Sequence, residues 1–191
     1  EIGITMMHEH FLLDLRPVFV EPDDPLEKPL AHEPVGLDNL SWVTMNWSNS
    51  EDNLVLDDLE TAVREAKLFK HAGGSVLVDV TSVGLGRDPK RLRDISQKSG
   101  VHVVMGASYY HARFHPPGMD DKSEDEICQE IVTDITEGVD GTGICAGIIG
   151  EVGCTMPLHP NEEKVLRASA RAQKQTGAPI SIHPGLHVDS P

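Results

Sequence analysis

Apolar positions recur along the chain with two periods. Ile2–Met7, Ser75–Thr81, Val101–Tyr110, Cys145–Gly153 and Pro179–His183 are short apolar runs, several rich in β-branched residues, and their pattern predicts strands. Longer segments between them repeat at helical spacing. Asp57–Ala72 places Leu59, Ala62, Val63 and Ala66 on one face, and Gly73-Gly74 stops it. Asp88-Pro89 supplies an N-cap and a first-turn proline for the next helix, which Gly100 ends. Ser123 and Glu126 form a capping box ahead of Ile127, Cys128, Ile131, Val132 and Ile135. Asn161–Gly177 directs Val165, Leu166, Ala168, Ser169 and Ala172 inward. Strands thus alternate with helices, which predicts a parallel α/β sheet with right-handed crossovers.

One stretch breaks the alternation. From Phe11 to Asn53 the chain is rich in Pro, Asp and Asn and reads as a long irregular insert after the first strand. It is too long for a plain connector, and it follows the C-terminal end of a strand, where α/β folds place their function. No internal repeat or low-complexity segment stands out.

Composition narrows the class of protein. The 191 residues are 39% hydrophobic and 25% charged, enough to bury a core. The net charge of −15 argues against nucleic acid or an anionic membrane as partner, since both are polyanions. No apolar run approaches the roughly 20 residues of a membrane span. Cys128, Cys145 and Cys154 are too few for a disulfide framework, so reduced thiols and a cytoplasmic location are expected. There is neither a signal-peptide pattern nor an initiator Met, so residues are expected to precede Glu1.

Candidate chemistry collects at strand ends. His8 and His10 close the first strand, and residues two apart on a strand point to one face. Two adjacent imidazoles suit a divalent metal, although an H-x-H pair also occurs by chance. Glu151 ends the fourth strand, where a carboxylate can bridge metals or simply sit in solvent. If it points inward, strict alternation puts Ile149 and Gly147 inward too. His183 ends the fifth strand, with Ile180 and Ile182 expected to face helices and Ser181 and His183 inward. In a closed barrel all three strand ends would meet on one rim.

These residues carry a resemblance. Ile4-Thr5-Met6-Met7-His8-Glu9-His10, Ala146-Gly147-Ile148-Ile149-Gly150-Glu151-Val152-Gly153 and Ile180-Ser181-Ile182-His183-Pro184-Gly185 resemble the phosphotriesterase family of the amidohydrolase superfamily. Glu33-Pro34…Asn39-Leu40-Ser41-Trp42, Gly138…Asp140-Gly141-Thr142 and Glu163-Lys164-Val165-Leu166 are similar to its phosphotriesterase-related branch. The likeness runs over nearly the whole chain.

The resemblance implies a (β/α)8 TIM barrel with two divalent metals, usually zinc, at its C-terminal mouth. It assigns His8 and His10 to the more buried metal, Glu151 to the bridge and His183 to the second metal. A Glu bridge, rather than a carboxylated lysine, is the pattern of the related branch. The family also uses a histidine after strand six and an aspartate after strand eight. A barrel of this kind takes about 250 residues or more, so the chain is expected to hold strands one to five, a fragment inactive by itself. His187 lies too soon after His183 to serve strand six.

The implied reaction is hydrolysis by a hydroxide shared between two metals, on a small amide or ester. An N-acyl amino acid or an N-acetyltaurine-like amide heads the candidates, with lactones and phosphotriesters as alternatives and homodimers common in the family. A non-catalytic, truncated metal-binding half-barrel is the reading from another class. Arg87, Tyr109, Tyr110 and Arg113 follow the second and third strands and are candidates to line the mouth. Arg87 or Arg113 would hold an anionic head group, unless each is a solvated loop arginine. His111 and His115 are further substrate-contact candidates. Cys128 reads as core and Cys154 as a structural thiol near the mouth. Gly84-Leu85-Gly86 falls short of a dinucleotide motif, and the Asn46-Trp47-Ser48 sequon has no role in a cytoplasmic protein.

Overall fold

The computed structural model describes residues 2–188 and Ser190. Among these residues, seven strands and six α-helices follow one another. The strands are β1 (Ile4–Glu9), β2 (Leu13–Asp14), β3 (Val55–Leu56), β4 (Gly74–Asp79), β5 (His102–Ala107), β6 (Ile148–Gly153) and β7 (Ile180–His183). The helices are α1 (Lys28–Ala31), α2 (Leu40–Met45), α3 (Leu59–His71), α4 (Pro89–Ser99), α5 (Glu124–Thr136) and α6 (Pro160–Thr176). Five strands make one parallel sheet in the order β1-β4-β5-β6-β7. Each crossover carries a helix, as the alternation predicts.

Helix boundaries follow local chemistry. Asp58 caps α3 by accepting the Thr61 N–H. Asp88 caps α4 through Lys90 and Arg91 N–H, with Pro89 in the first turn and left-handed Gly100 at the end. Ser123 and Glu126 form the expected capping box on α5. Each such cap is worth about 1 kcal/mol.

The main core lies between the sheet and the helices. Leu77, Met105, Ile149 and Val152 meet Val63, Ala66, Ile95, Ile127, Ile131, Val165 and Ala168 there. The opposite face of the sheet carries a smaller cluster, Val78, Val80 and Ile148 with Val104. Neighbours in sequence therefore face opposite sides, Leu77 against Val78 and Val104 against Met105.

The sheet is curled. In a flat sheet β1 and β6 would stand three spacings apart, about 14 Å. Yet the His8 side chain on β1 comes within 3.3 Å of Glu151 on β6. The curl, the order of strands and the helices on one face give the first five strands of a TIM barrel.

Two expectations need correction. The Phe11–Asn53 insert is not wholly irregular: it contains β2, α1, α2 and 3-10 turns, and β2 pairs antiparallel with β3. Its apolar residues are irregularly spaced among prolines and acids, so no period betrays these short elements. Alternation also fails within β6. Ile148 faces the inner cluster, whereas Ile149 and Val152 both face the helices. The pairing with β7 shifts register between Ile149 and Val152. A register irregularity of this kind resets which face a side chain takes, so Glu151 points inward without Ile149.

Candidate metal centre

The C-terminal ends of β1, β6 and β7 supply one cluster. β1 also shifts register against β4, between Met6 and Glu9, just where its histidines begin. The His8 and His10 Nε2 atoms lie 3.3 Å apart. His8 Nε2 is 3.3 Å from Glu151 Oε2, and His10 Nε2 is 3.2 Å from Glu151 Oε1. His183 Nδ1 lies 3.1 Å from Oε2 of the same carboxylate. Glu151 is 2% exposed and His8 about half exposed, so the cluster is rooted in the fold and open at one side.

Electrostatics bind these groups together. Burial alone would raise the Glu151 carboxyl, but hydrogen bonds and attraction from His10 and His183 outweigh it and hold the pKa at about 2. Burial disfavours the His10 imidazolium, but Glu151, Asp79 and Glu9 outweigh that and raise its pKa. The carboxylate is thus ionised at any ordinary pH.

The donor set fits a divalent ion. Ligand atoms about 2.0–2.2 Å from one tetrahedral ion stand roughly 3.3–3.6 Å apart. The edges between His8, His10 and Glu151 match that spacing, and their ligand atoms all lie within 4.8 Å of one another. Imidazole and carboxylate are the donors that zinc accepts in catalytic sites. Two imidazoles and one carboxylate, facing each other at this distance, can each turn a lone pair toward a shared cation.

The remaining candidates divide. Tyr110 belongs to the cluster: its hydroxyl lies 3.1 Å from His183 Nε2, and the two rings meet edge to face. Burial, reinforced by the Glu151 charge, raises the phenol pKa, so it stays protonated. His111 packs against Tyr110 and Phe114, and His115 Nε2 donates to the Tyr110 carbonyl. Both therefore buttress Tyr110, and burial lowers their pKa values. Arg113 is exposed on the loop after β5, with no ion-pair partner among the described residues.

Arg87 is elsewhere, against expectation. Its side chain is 6% exposed and its Nη1 donates to Asp134 on α5 at 2.7 Å and to the Gly106 carbonyl. Buried and paired with a carboxylate, this guanidinium is turned toward α5 rather than toward the metal cluster. Tyr109 also points away, donating to Glu130 on α5 beside Lys122.

Sequence reading passed over Asp79, Thr81 and Glu162, which frame the site. Asp79 and Thr81 are buried at the end of β4. Glu162, at the start of α6, accepts from Ala112 N, Thr155 N, Thr155 Oγ1 and His159 N. It fastens the loop after β5 to the loop after β6. A charged residue in the apolar run Ser75–Thr81 was the available signal for Asp79. A groove of about 920 Å³ lies beside β1 and α3 on the helix side and is lined by Met6, Leu56, Leu68 and Phe69 among others.

Comparison with known proteins agrees with this geometry. The model of the phosphotriesterase family matches residues 1–191. An N-acetyltaurine hydrolase from Dictyostelium discoideum is 39% identical over all of this chain and 57% of its own length. A phosphotriesterase-related protein from Nematostella vectensis is 38% identical, covering 100% of this chain and 55% of that one. Among solved structures, a resiniferatoxin-binding protein from Rhodobacter sphaeroides superposes with a TM-score of 0.93 at 43% identity, over 95% of this chain and 51% of that one. A phosphotriesterase homology protein from Escherichia coli, with phosphate in its active site, gives 0.74 at 30% identity over 95% and 53%. The chain spans about half the length of the curated relatives it matches. With the family pattern running from Glu1 to Pro191 and the half-barrel superposing on such relatives, the chain belongs to the phosphotriesterase family.

Proposed function

We propose that the protein to which this chain belongs is a divalent-metal-dependent hydrolase of small amides, with zinc at a binuclear centre. The observation that carries this reading is the convergence of His8, His10, Glu151 and His183 at one rim of the sheet. His8 and His10 would hold one ion, Glu151 would bridge and His183 would hold the second. When bound, such ions supply Lewis acidity, making water acidic enough to attack at neutral pH and polarising the bond under attack.

The chain's own residues supply the rest. Glu151 stays ionised, so it remains a full negative charge between the two sides of the centre. Tyr110 stays protonated and can donate to an oxygen on which charge develops. Arg113, exposed after β5, is the side chain left to attract an anionic head group.

An N-acyl amide with a sulfonate or carboxylate, such as N-acetyltaurine, is the substrate class favoured by the relatives at 36–39% identity. Structural neighbours described as a lactonase or an organophosphorus hydrolase are 24–25% identical, and their likeness supports the fold. The test is a panel of N-acetyltaurine, N-acetyl amino acids, a lactone and a phosphotriester, given to the zinc-loaded full-length protein. Amide turnover that a chelator abolishes is expected. Turnover of the lactone alone would replace the substrate, and no turnover of any member with metal bound would favour a binding protein.

A further inference from the structure

The end of β4 gives no ligand to the cluster, yet its three residues touch two of the three elements that do, β1 and β6. Asp79 is fully buried and uses its two oxygens separately. Oδ2 accepts the Phe11 N–H at 2.8 Å, immediately after His10, and Oδ1 accepts the Thr81 N–H at 3.1 Å. Val80 receives the Glu151 N–H on its carbonyl at 2.8 Å and donates its own N–H to the Glu9 carbonyl. Thr81, 1% exposed, places Oγ1 3.0 Å from His10 Nδ1 and 3.3 Å from the Leu12 carbonyl.

The hydroxyl has one proton and two neighbours. The Leu12 carbonyl can only accept, so the hydroxyl proton goes to it. The oxygen lone pair then faces His10, and Nδ1 must carry the hydrogen. On the neutral ring that leaves the Nε2 lone pair directed toward His8 and Glu151, where a cation would take the place of a proton.

We propose that Thr81 is a positioning residue that fixes His10 as the Nδ1–H tautomer and aims its Nε2 into the metal centre, with Asp79 holding the two strand ends in register. The proposal rests on the metal-centre reading given above. A ligating imidazole whose other nitrogen loses its partner rotates and changes tautomer more freely, which weakens metal binding.

The experiment uses the full-length protein and three variants, Thr81→Val, Thr81→Ser and His10→Ala. Zinc affinity is measured by competition with a chromophoric chelator, and the His10 tautomer by ¹⁵N chemical shifts in the metal-free wild type at a pH above the His10 titration, where the ring is neutral. Thr81→Val is expected to weaken zinc binding by about 10–100-fold, Thr81→Ser to restore it, and the wild-type shifts to report hydrogen on Nδ1. Unchanged affinity in Thr81→Val, with affinity lost in His10→Ala, would overturn the positioning role and leave the metal centre standing. Unchanged affinity in His10→Ala would overturn both. Should Thr81→Val fail to fold, the wild-type tautomer decides: hydrogen on Nε2 refutes the proposal, and hydrogen on Nδ1 with affinity kept in Thr81→Ser supports it.

Discussion

Cys154 illustrates how position governs a residue's chemistry. It follows β6 directly and its backbone N–H donates to the His183 carbonyl, so it borders the candidate metal centre. Burial, then the charge of Glu162, pushes its thiol up to about 11. A thiol in that state is almost wholly protonated at neutral pH and is a poor nucleophile. Alkylation of Cys154, followed by mass spectrometry from pH 7 to 11, is therefore expected to accelerate about two pH units later than the roughly 8.5 of a free cysteine. Half-maximal labelling near that ordinary value would contradict the burial described. His8, His10, Glu151 and His183 were legible in the sequence because each closes an apolar run. Arg87 was not, since nothing near it in sequence announces Asp134, 47 residues away on α5. Thr81 was equally silent, because its partner His10 is 71 residues away.

The legible elements were those with strong periods and caps. All five strands of the main sheet and the four long helices lie where hydrophobic spacing put them, within a few residues at their ends. What spacing could not give was the shift of register in β6. Strict alternation assigns Ile149 and Glu151 to one face, and only the pairing with β7 reveals otherwise. Gly150 makes that turn possible. Its φ is +124°, and an added Cβ would strike the Ser181 carbonyl oxygen on β7. Gly150→Ala should therefore force β6 and β7 apart beside Glu151. We expect a loss of stability of about 1–3 kcal/mol in chemical denaturation, together with weaker zinc binding. A variant as stable as the wild type would show that the strands can yield there. The insert, expected to be irregular, is tied down by β2 pairing with β3 just beyond it, strands too short to leave an alternating pattern.

At the scale of the molecule the fold class was plain from the order of strands and helices, while the edges were not. β1 and β7 stand at the two ends of the sheet, each hydrogen-bonded on one side only among the described residues. Ile4, Met7 and Ile182 are more than half exposed there, and the groove beside β1 and α3 is apolar on the helix side. Open strands with exposed apolar side chains pair readily with other chains. Residues 1–191 produced alone should associate in a concentration-dependent way in light scattering, and a strictly monomeric species would argue that the edges are closed by some other means. No helix among the described residues is long and apolar enough to cross a membrane.

The cluster of His8, His10 and Glu151 has a mechanical meaning as well. Its members are not on neighbouring strands, so the contact is a chord drawn across an arc rather than a rung between rails. A cation at that place would act as a removable crosslink between residues 8 and 151, closing a loop comparable to those closed by long-range disulfides. Loading the ion would then set the radius of the barrel, and stripping it would let the arc relax. Chelation of the full-length protein should lower its melting temperature and increase amide exchange at the ends of β1 and β6, which carry the tied residues, before β5, which carries none. Uniform exchange across the three strands would mean the sheet keeps its curvature without the tie.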